Sequence, residues 1–314
     1  MEVKTPKTLR EAITYFSNPD NCVAYMAAKR WPNGVTCPTC GSTKVRYDAK
    51  TWRWQCASHH AKRKFSLKTG TVLEDSPLGL DKWLPVVWLV TNCKNGVSSW
   101  EIHRAMGVTQ KTAWFMLQRA RLALQGKNGG KLSGEIEADE SFIGGKARNM
   151  HAHKRAEKIH GRGPDGKAIV AAVLERGGEI RAQVVKTRRK PDLQAMVREN
   201  VEAGSNIYTD ALKSYEGLDE FTHQVVDHAE TYVNGQIHTN GCENFRSLLK
   251  RGLKGTYVSV EPFHLPRYID EQAFRYNNRK NMNDSERFDL TVSQIVGKRL
   301  AYRELTGHQD DEPF

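Results

Sequence analysis

The sequence predicts a multidomain protein: an N-terminal zinc ribbon, a helix-turn-helix pair, and then an α/β domain of the ribonuclease H type. Three observations predict it. Cysteine and histidine residues stand at metal-ligand spacing between residues 37 and 60, two helical patterns meet at a Gly-Val turn near residue 107, and strand patterns recur beyond residue 134. With 314 residues, the chain is long enough for about two domains.

The N-terminal segment is predicted to consist of helices over residues 1–30 and a zinc ribbon over residues 31–76. The run CPTCGS at 37–42 is a C-x₂-C knuckle, and Cys56 is followed by two histidines. Zinc takes four tetrahedral ligands, and three cysteines with one histidine form an established structural set. One structural Zn²⁺ is therefore predicted, with His60 left open as an alternative to His59. The predicted ligands are Cys37, Cys40, Cys56 and His59.

Residues 77–125 are predicted to form a helix-turn-helix module that binds DNA. In such modules the second helix, here about 109–124, lies in the major groove and its first turn reaches the bases. A plain helical hairpin with Trp114 and Met116 in its core is the alternative interpretation. The predicted DNA contacts are Thr109, Gln110, Lys111 and Thr112 for bases and Arg119 for phosphates.

A Gly- and Lys-rich linker at 126–134 separates this module from a catalytic domain at 135–300, and residues 301–314 form an acidic tail. Period-two alternation and apolar runs indicate the strands, and a helical pattern follows the third of them at 191–203. This order is typical of a mixed sheet of the ribonuclease H type. The predicted strands are 134–142, 168–175, 179–187, 205–209 and 223–227.

Three acidic residues are candidates for holding a catalytic metal. Asp139 and Asp210 end apolar runs that resemble buried strands, where an ionised carboxylate is costly without a compensating cation. Glu243 stands near the start of a later helical pattern. If the three carboxylates meet, they suit Mg²⁺, the ion that works with carboxylates and substrate phosphates in phosphodiester chemistry. Spacing alone does not choose between Glu137 and Asp139.

Charge favours a polyanionic partner. The net charge is +12 and the isoelectric point is near 9.4, and phosphate neutralisation by Lys and Arg supplies much of nucleic-acid affinity. P-loop, dinucleotide-binding and G-x-S-x-G motifs are absent from the sequence. Without an apolar stretch of roughly 20 residues or a signal peptide, a cytoplasmic protein is expected. The predicted backbone contacts are Arg188, Arg189, Lys190, Lys250, Arg251 and Lys254.

Several ordered motifs resemble one known family. The runs CPTCGS, GVSSWEIHRAMGVTQKTAWFMLQRAR, EIEADESFIGGK, YTDALKSY and HTNGCENFRSLLKRG are similar to those of bacterial insertion-sequence transposases with an N-terminal zinc ribbon and an ISXO-like DDE domain. The resemblance spans roughly residues 20–285. It departs from the family at the zinc ribbon, where a fourth cysteine is common and this chain has histidine.

The resemblance implies a transposase that binds terminal inverted repeats, cleaves strands and joins 3′-hydroxyl ends to target DNA. It carries Asp139, Asp210 and Glu243 into the catalytic positions and favours Asp139 over Glu137. It also implies two Mg²⁺ ions, with Mn²⁺ a possible substitute, a homodimer or larger assembly on double-stranded DNA, and a bacterial, nucleoid-associated location. The alternatives are a domesticated DNA-binding regulator and a stand-alone nuclease of the same fold.

Overall fold

The computed structural model describes residues 5–126, 129–145, 147–161, 165–210, 212–226 and 238–307. The chain forms two compact units. The first contains Met1–Gly126 together with Asn278–Phe314, and the second contains Lys127–Asn277. Among the described residues, no helix combines the length and apolar character needed to cross a membrane.

The first unit begins with helices around a small antiparallel sheet of order β1-β2-β3. Asn18 caps α2, and a capping box of Ser98 and Glu101 begins α4. Gly107 ends α4 in the left-handed conformation, at φ 61°, which glycine adopts without steric cost. The elements are α1 (Leu9–Phe16), α2 (Pro19–Arg30), β1 (Val45–Asp48), β2 (Arg53–Cys56), β3 (Lys64–Phe65), α3 (Leu80–Asn92), α4 (Ser99–Met106) and α5 (Gln110–Leu124).

The second unit is built on a five-stranded mixed sheet of order β6-β5-β4-β7-β8. The pairs β4/β5 and β5/β6 are antiparallel, whereas β4/β7 and β7/β8 are parallel. All five predicted strands are present close to their predicted bounds. The elements are β4 (Glu135–Ile143), α6 (Ala152–Lys158), β5 (Ala168–Glu175), β6 (Ile180–Val185), α7 (Lys190–Asn200), β7 (Asn206–Asp210), β8 (Thr222–Val226), α8 (Asn240–Gly252) and α9 (Leu265–Asn277).

Helices cover both faces of this sheet, so β4 is buried on both sides. On one face, Ile136 and Ala138 belong to a core with Leu193 of α7. On the other face, residues of β5 pack with Phe245 of α8 and Ile269 of α9. Because side chains alternate along a strand, Glu137 and Asp139 of β4 face α8.

The chain then returns to the first unit as α10 (Asp284–Ser293) and α11 (Tyr302–Thr306). Phe288 of α10 is fully buried, and its ring centroid lies 5.8 Å from that of Phe16, 5.7 Å from Tyr25 and 5.0 Å from Trp88. This aromatic cluster accounts for a difference from the predicted boundary at residue 300: α10 completes the core of the N-terminal unit rather than that of the α/β unit.

Candidate metal centres

An acidic cluster forms between the middle of β4 and the end of β7. Strands β4 and β7 run parallel, with Glu137 opposite Tyr208, so continuing the register by two residues places Asp139 beside Asp210. Carboxylate oxygens of Asp139, Glu140 and Asp210 all lie within 4.8 Å of one another. This separation suits oxygens around one octahedral Mg²⁺, for which bonds of about 2.1 Å put opposite ligands about 4.2 Å apart.

The electrostatics of the cluster also suit a cation. Asp139 is 8% exposed. Burial raises its pKa to about 6, the negative charges of Glu140 and Asp210 add to the rise, and Arg246 opposes it. Burial and the charge of Asp210 likewise raise the pKa of Glu140. Burial is the main cause of both raised pKa values, so a divalent cation bound at this site would stabilise the ionised form of these carboxylates.

Glu243, the third predicted acid, lies on α8 and is connected to this cluster through Arg246. Arg246 Nη1 is 3.3 Å from Asp139 Oδ2, and Nη2 is 3.6 Å from Glu243 Oε1. The guanidinium group therefore lies between the two carboxylates. Sequence reasoning missed Arg246, although its position three residues after Glu243 on the same helix could have suggested it.

Glu140 is a second member of the site that sequence reasoning missed, since strand alternation places it on the opposite face from Asp139. Its Oε1 accepts hydrogen bonds from Arg188 Nε (3.0 Å) and Nη2 (2.9 Å), and Tyr215 donates to Oε2 over 3.2 Å. Arg188, which was predicted to contact the DNA backbone, pairs with this buried carboxylate through a side chain that is 38% exposed, and its contact with DNA stays a prediction.

Glu137, the alternative to Asp139, holds the start of α8 rather than joining the acidic cluster. Its Oε2 accepts the backbone N–H groups of Gly241 (2.7 Å) and Cys242 (3.1 Å). Its Oε1 accepts a hydrogen bond from Arg176 Nε over 3.0 Å, and His238 Nδ1 lies 3.2 Å away. Backbone N–H groups in the first turn of a helix lack helical partners, and this carboxylate satisfies two of them.

We expect Glu137→Gln to lower the free energy of unfolding by about 3 kcal/mol, since breaking one side of a buried ion pair leaves the other charge uncompensated. Glu137 is 1% exposed, so solvent cannot replace the lost interaction. Urea unfolding of the full chain measures the change. Glu202→Gln is the matched control, because Glu202 is exposed in the same unit and its change should stay within about 0.5 kcal/mol. Equal stability of the two variants would contradict the assigned role.

Asp139→Asn should stabilise the Mg²⁺-free protein at pH 7.5. A carboxyl pKa of about 6, above the ordinary value of 3.8, means that the folded state binds the proton more tightly than the unfolded state. Stability is therefore lost as pH rises from about 4 to about 6, by at most roughly 3 kcal/mol. Asparagine stays neutral throughout. Unfolding measured at pH 4, 5 and 7.5 should show a gain for the variant that grows with pH, and a variant less stable at pH 7.5 would contradict this.

A second cluster lies in the predicted zinc ribbon. Ligand atoms of Cys37, Cys40, Cys56 and His60 all lie within 4.8 Å of one another. The Sγ atoms of Cys40 and Cys56 are 3.6 Å apart, and Cys37 Sγ is 3.4 Å from His60 Nε2. Tetrahedral zinc with Zn–S bonds of 2.3 Å separates its sulfurs by about 3.8 Å, so this donor set suits Zn²⁺.

The structure corrects the choice of His59 as the fourth zinc ligand. His59 is exposed and lies outside the cluster, whereas His60 lies within it. Strand β2 ends at Cys56, and three residues separate Cys56 from His60. In the other knuckle, Gly41 at φ 74° donates its N–H to the carbonyl of Cys37 over 2.8 Å, which closes the turn that the C-x₂-C-G spacing predicted.

Helices α4 and α5 are joined by a short turn that begins at Gly107, and several residues predicted to contact bases make contacts within the first unit. Thr109 caps α5 by accepting the N–H of Thr112 over 3.2 Å. Gln110 Nε2 donates to the Ser99 hydroxyl over 2.8 Å. Lys111 is exposed, and its Nζ lies 5.1 Å from the centre of the Tyr302 ring. Their proposed DNA contacts remain predictions.

Arg119 does not fit its predicted role as a phosphate contact. It is 6% exposed, its Nη1 donates to the carbonyl of Glu74 over 2.7 Å, and its Nε donates to that of Leu300 over 3.3 Å. The residue lies on the buried face of α5 with Met116 and Ala120. Arg119 therefore ties segments of the first unit together.

The other residues of the second unit that were predicted to contact the DNA backbone are Arg189, Lys190, Lys250, Arg251 and Lys254. Arg189 and Lys190 are exposed at the start of α7. Arg251 is exposed at the end of α8, Lys254 is exposed two residues beyond that helix, and Lys250 is half-buried. Burial lowers the pKa of Lys250. These residues stay candidates for contact with a phosphate backbone.

Comparisons with known proteins agree with these sites. Residues 131–277 match the model of the ISXO2-like transposase domain, and residues 17–61 match that of the transposase zinc-ribbon domain. An uncharacterized protein in transposable element ISH50 of Halobacterium salinarum is 31% identical over 240 residues, which cover 73% of this chain and 81% of that protein. An uncharacterized transposase-like protein of Haemophilus influenzae is 32% identical over 97 residues, covering 30% of this chain and 78% of that protein. This chain therefore belongs to the family of transposases with an ISXO2-like domain and an N-terminal zinc ribbon.

Proposed function

We propose that the protein is a DDE transposase that binds the terminal inverted repeats of an insertion sequence, cleaves DNA strands and joins the 3′-hydroxyl ends to target DNA. The observation that carries this proposal is the convergence of Asp139 and Asp210 at one edge of the sheet. Arg246 links Glu243 to Asp139. The sheet order, with helices on both faces, supports a ribonuclease H-like domain.

Asp139, Asp210 and Glu243 would hold two Mg²⁺ ions, or Mn²⁺ in their place. When bound, this pair activates the attacking oxygen and stabilises the leaving oxygen. Asp139 lies near Asp210 and is connected to Glu243 through Arg246, so it would be a central member of the group that holds the ions. The carboxylate of Glu140 accepts hydrogen bonds from Arg188 and Tyr215, and in this arrangement Glu140 would support the metal site without binding an ion itself. Arg246 is 34% exposed at its side chain, and its guanidinium can turn from the carboxylates to a phosphate of the DNA.

The first unit would recognise the DNA sequence, and the second unit would contact the DNA backbone. The zinc ribbon fixes a compact module through Cys37, Cys40, Cys56 and His60, and α5 would enter the major groove with Lys111 on its exposed face. The exposed residues Arg189, Lys190, Arg251 and Lys254 would neutralise phosphates. Because two ends must be processed together, a homodimer or larger assembly on DNA is part of the proposal.

A strand-transfer assay tests this function. The zinc-loaded full chain is mixed with Mg²⁺, duplex oligonucleotides that carry the inverted repeats flanking its gene, and a supercoiled plasmid. We expect nicks at the repeat ends and covalent joining of those ends to the plasmid. Nicking without joining would favour a stand-alone nuclease, and binding without nicking would favour a domesticated regulator.

A further inference from the structure

An exposed, strained turn follows the helix that carries Glu243. Val258 has φ 61° and ψ −56°, and the N–H of Ser259 donates to the carbonyl of Tyr257 over 2.6 Å, which defines a γ-turn. A γ-turn with positive φ at its centre is rare and strained. Among the described residues, Val258 is the one β-branched residue with positive φ, the side-chain type for which this conformation is least favourable.

The turn also presents apolar surface to solvent. Val258 is 80% exposed and Phe263, five residues later, is 57% exposed. We call these two residues the apolar tip. Strained backbone persists where the surrounding structure holds it in place, and it concentrates at sites that act on a ligand. A strained residue that is also this exposed contributes little to the core, so its side chain is available to a partner.

A buried network supports the turn from below. The Tyr257 hydroxyl donates to the carboxylate of Glu271, which is fully buried and also paired with Arg275. The Tyr257 ring meets that of Tyr268 edge-on, at 4.7 Å between centroids. The residue immediately before Val258 is therefore fixed in the core of the second unit, which gives the apolar tip a firm base.

The basic residues that precede the apolar tip indicate what kind of partner it binds. Arg246, Lys250 and Lys254 follow Glu243 by three, seven and eleven residues, spacings that place side chains along one stripe of a helix. Helix α8 then continues as a π-helical segment, Leu253–Tyr257, into the turn. A row of cations thus runs from the acidic cluster toward the apolar tip. A second copy of this chain would present the same cations and be repelled, whereas DNA offers phosphates to the row and bases to the tip.

We propose that Val258 and Phe263 insert against the bases of the transposon end and open the duplex there, while Arg246, Lys250 and Lys254 hold the strand's backbone. Apolar side chains that enter a base step unstack it and kink the duplex. Val258 follows Glu243 by fifteen positions, or roughly 20 Å of helix. With α8 lying along the duplex, at about 3.4 Å per base pair, the opened step is about six base pairs from the cleaved phosphate. This proposal rests on the proposed function, since it concerns the same DNA end.

The test uses end duplexes with 2-aminopurine at each position from two to ten base pairs from the cleavage site, without Mg²⁺. We expect the full chain to raise the fluorescence several-fold near the sixth position, and Val258→Gly and Phe263→Ser to lose most of that rise. Val258→Gly also removes the backbone strain, so it should fold at least as well as the parent. Val225→Ser, at a valine of β8 that is 48% exposed, is the matched control and should behave as the parent.

Nicking assays with mismatched ends provide the second readout. A mismatch at the opened step should restore nicking to Val258→Gly and Phe263→Ser, because the DNA is already open there. The proposal is overturned if these variants raise the 2-aminopurine fluorescence as much as the parent does, or if the mismatch does not restore their nicking. A change in their sedimentation without DNA also overturns it, since the tip would then join two copies of the chain. The fluorescence is measured without Mg²⁺ and so does not depend on cleavage. A protein that raises the fluorescence but does not cleave DNA would contradict the proposed function and still support the opening of the duplex.

Discussion

Asp210→Asn is expected to lower Mg²⁺-dependent nicking by roughly a thousandfold or more while leaving binding to the inverted repeats intact. Asp210 ends β7, and its carboxylate lies within 4.8 Å of those of Asp139 and Glu140. Asparagine keeps the size and the backbone of this position but removes one negative charge from the group that holds the cations. The expected loss is in the chemical step, so electrophoretic mobility shifts of end DNA should not change.

Asp219→Asn is the matched control for this experiment. It removes the same charge from an exposed position of the same unit, and it should nick DNA at the rate of the parent. Manganese binding, followed by electron paramagnetic resonance, gives a readout that does not depend on turnover, and Asp210→Asn should weaken it. Undiminished nicking by Asp210→Asn would falsify the assignment of the acidic cluster as the catalytic centre.

The strands could be predicted because local pattern decides them. Strand β5 is an apolar run buried by helices on both faces, and its predicted bounds, 168–175, match the structure. Acids at the ends of such runs are conspicuous in the sequence, which is why Asp139 and Asp210 were found. Parallel pairing of β4 and β7 then places Asp139, in the middle of β4, beside Asp210 at the end of β7.

The missed residues depend on tertiary packing, which the sequence pattern does not reveal. The sequence pattern of a basic helix predicts Arg119 as a surface cation. In the structure it is buried, and two backbone carbonyls from distant segments accept its hydrogen bonds. Glu140 alternates away from Asp139 along β4, yet both carboxylates reach the same cluster. The apolar positions of α10, Phe288 among them, have the periodicity of any amphipathic helix. Only the aromatic neighbours of Phe288 show which unit α10 completes.

The zinc cluster separates two adjacent histidines that the sequence could not distinguish. His60→Ala is expected to lower zinc affinity by roughly a hundredfold or more, because it removes one of four ligands from a site whose binding energy stabilises the fold. His59→Ala is the matched control, and it should retain one zinc per chain. Zinc released to a chromophoric chelator measures the affinity.

The loss of zinc in His60→Ala should also unfold the ribbon, because β1, β2 and β3 contain only ten residues among them and a module this small depends on its metal. Hydrogen exchange should therefore rise across residues 37–65 in His60→Ala and stay unchanged in His59→Ala. His60→Cys should restore much of the affinity, since a thiolate supplies the fourth ligand at the same position. Zinc loss from His59→Ala with retention by His60→Ala would show that the ribbon closes around the other histidine.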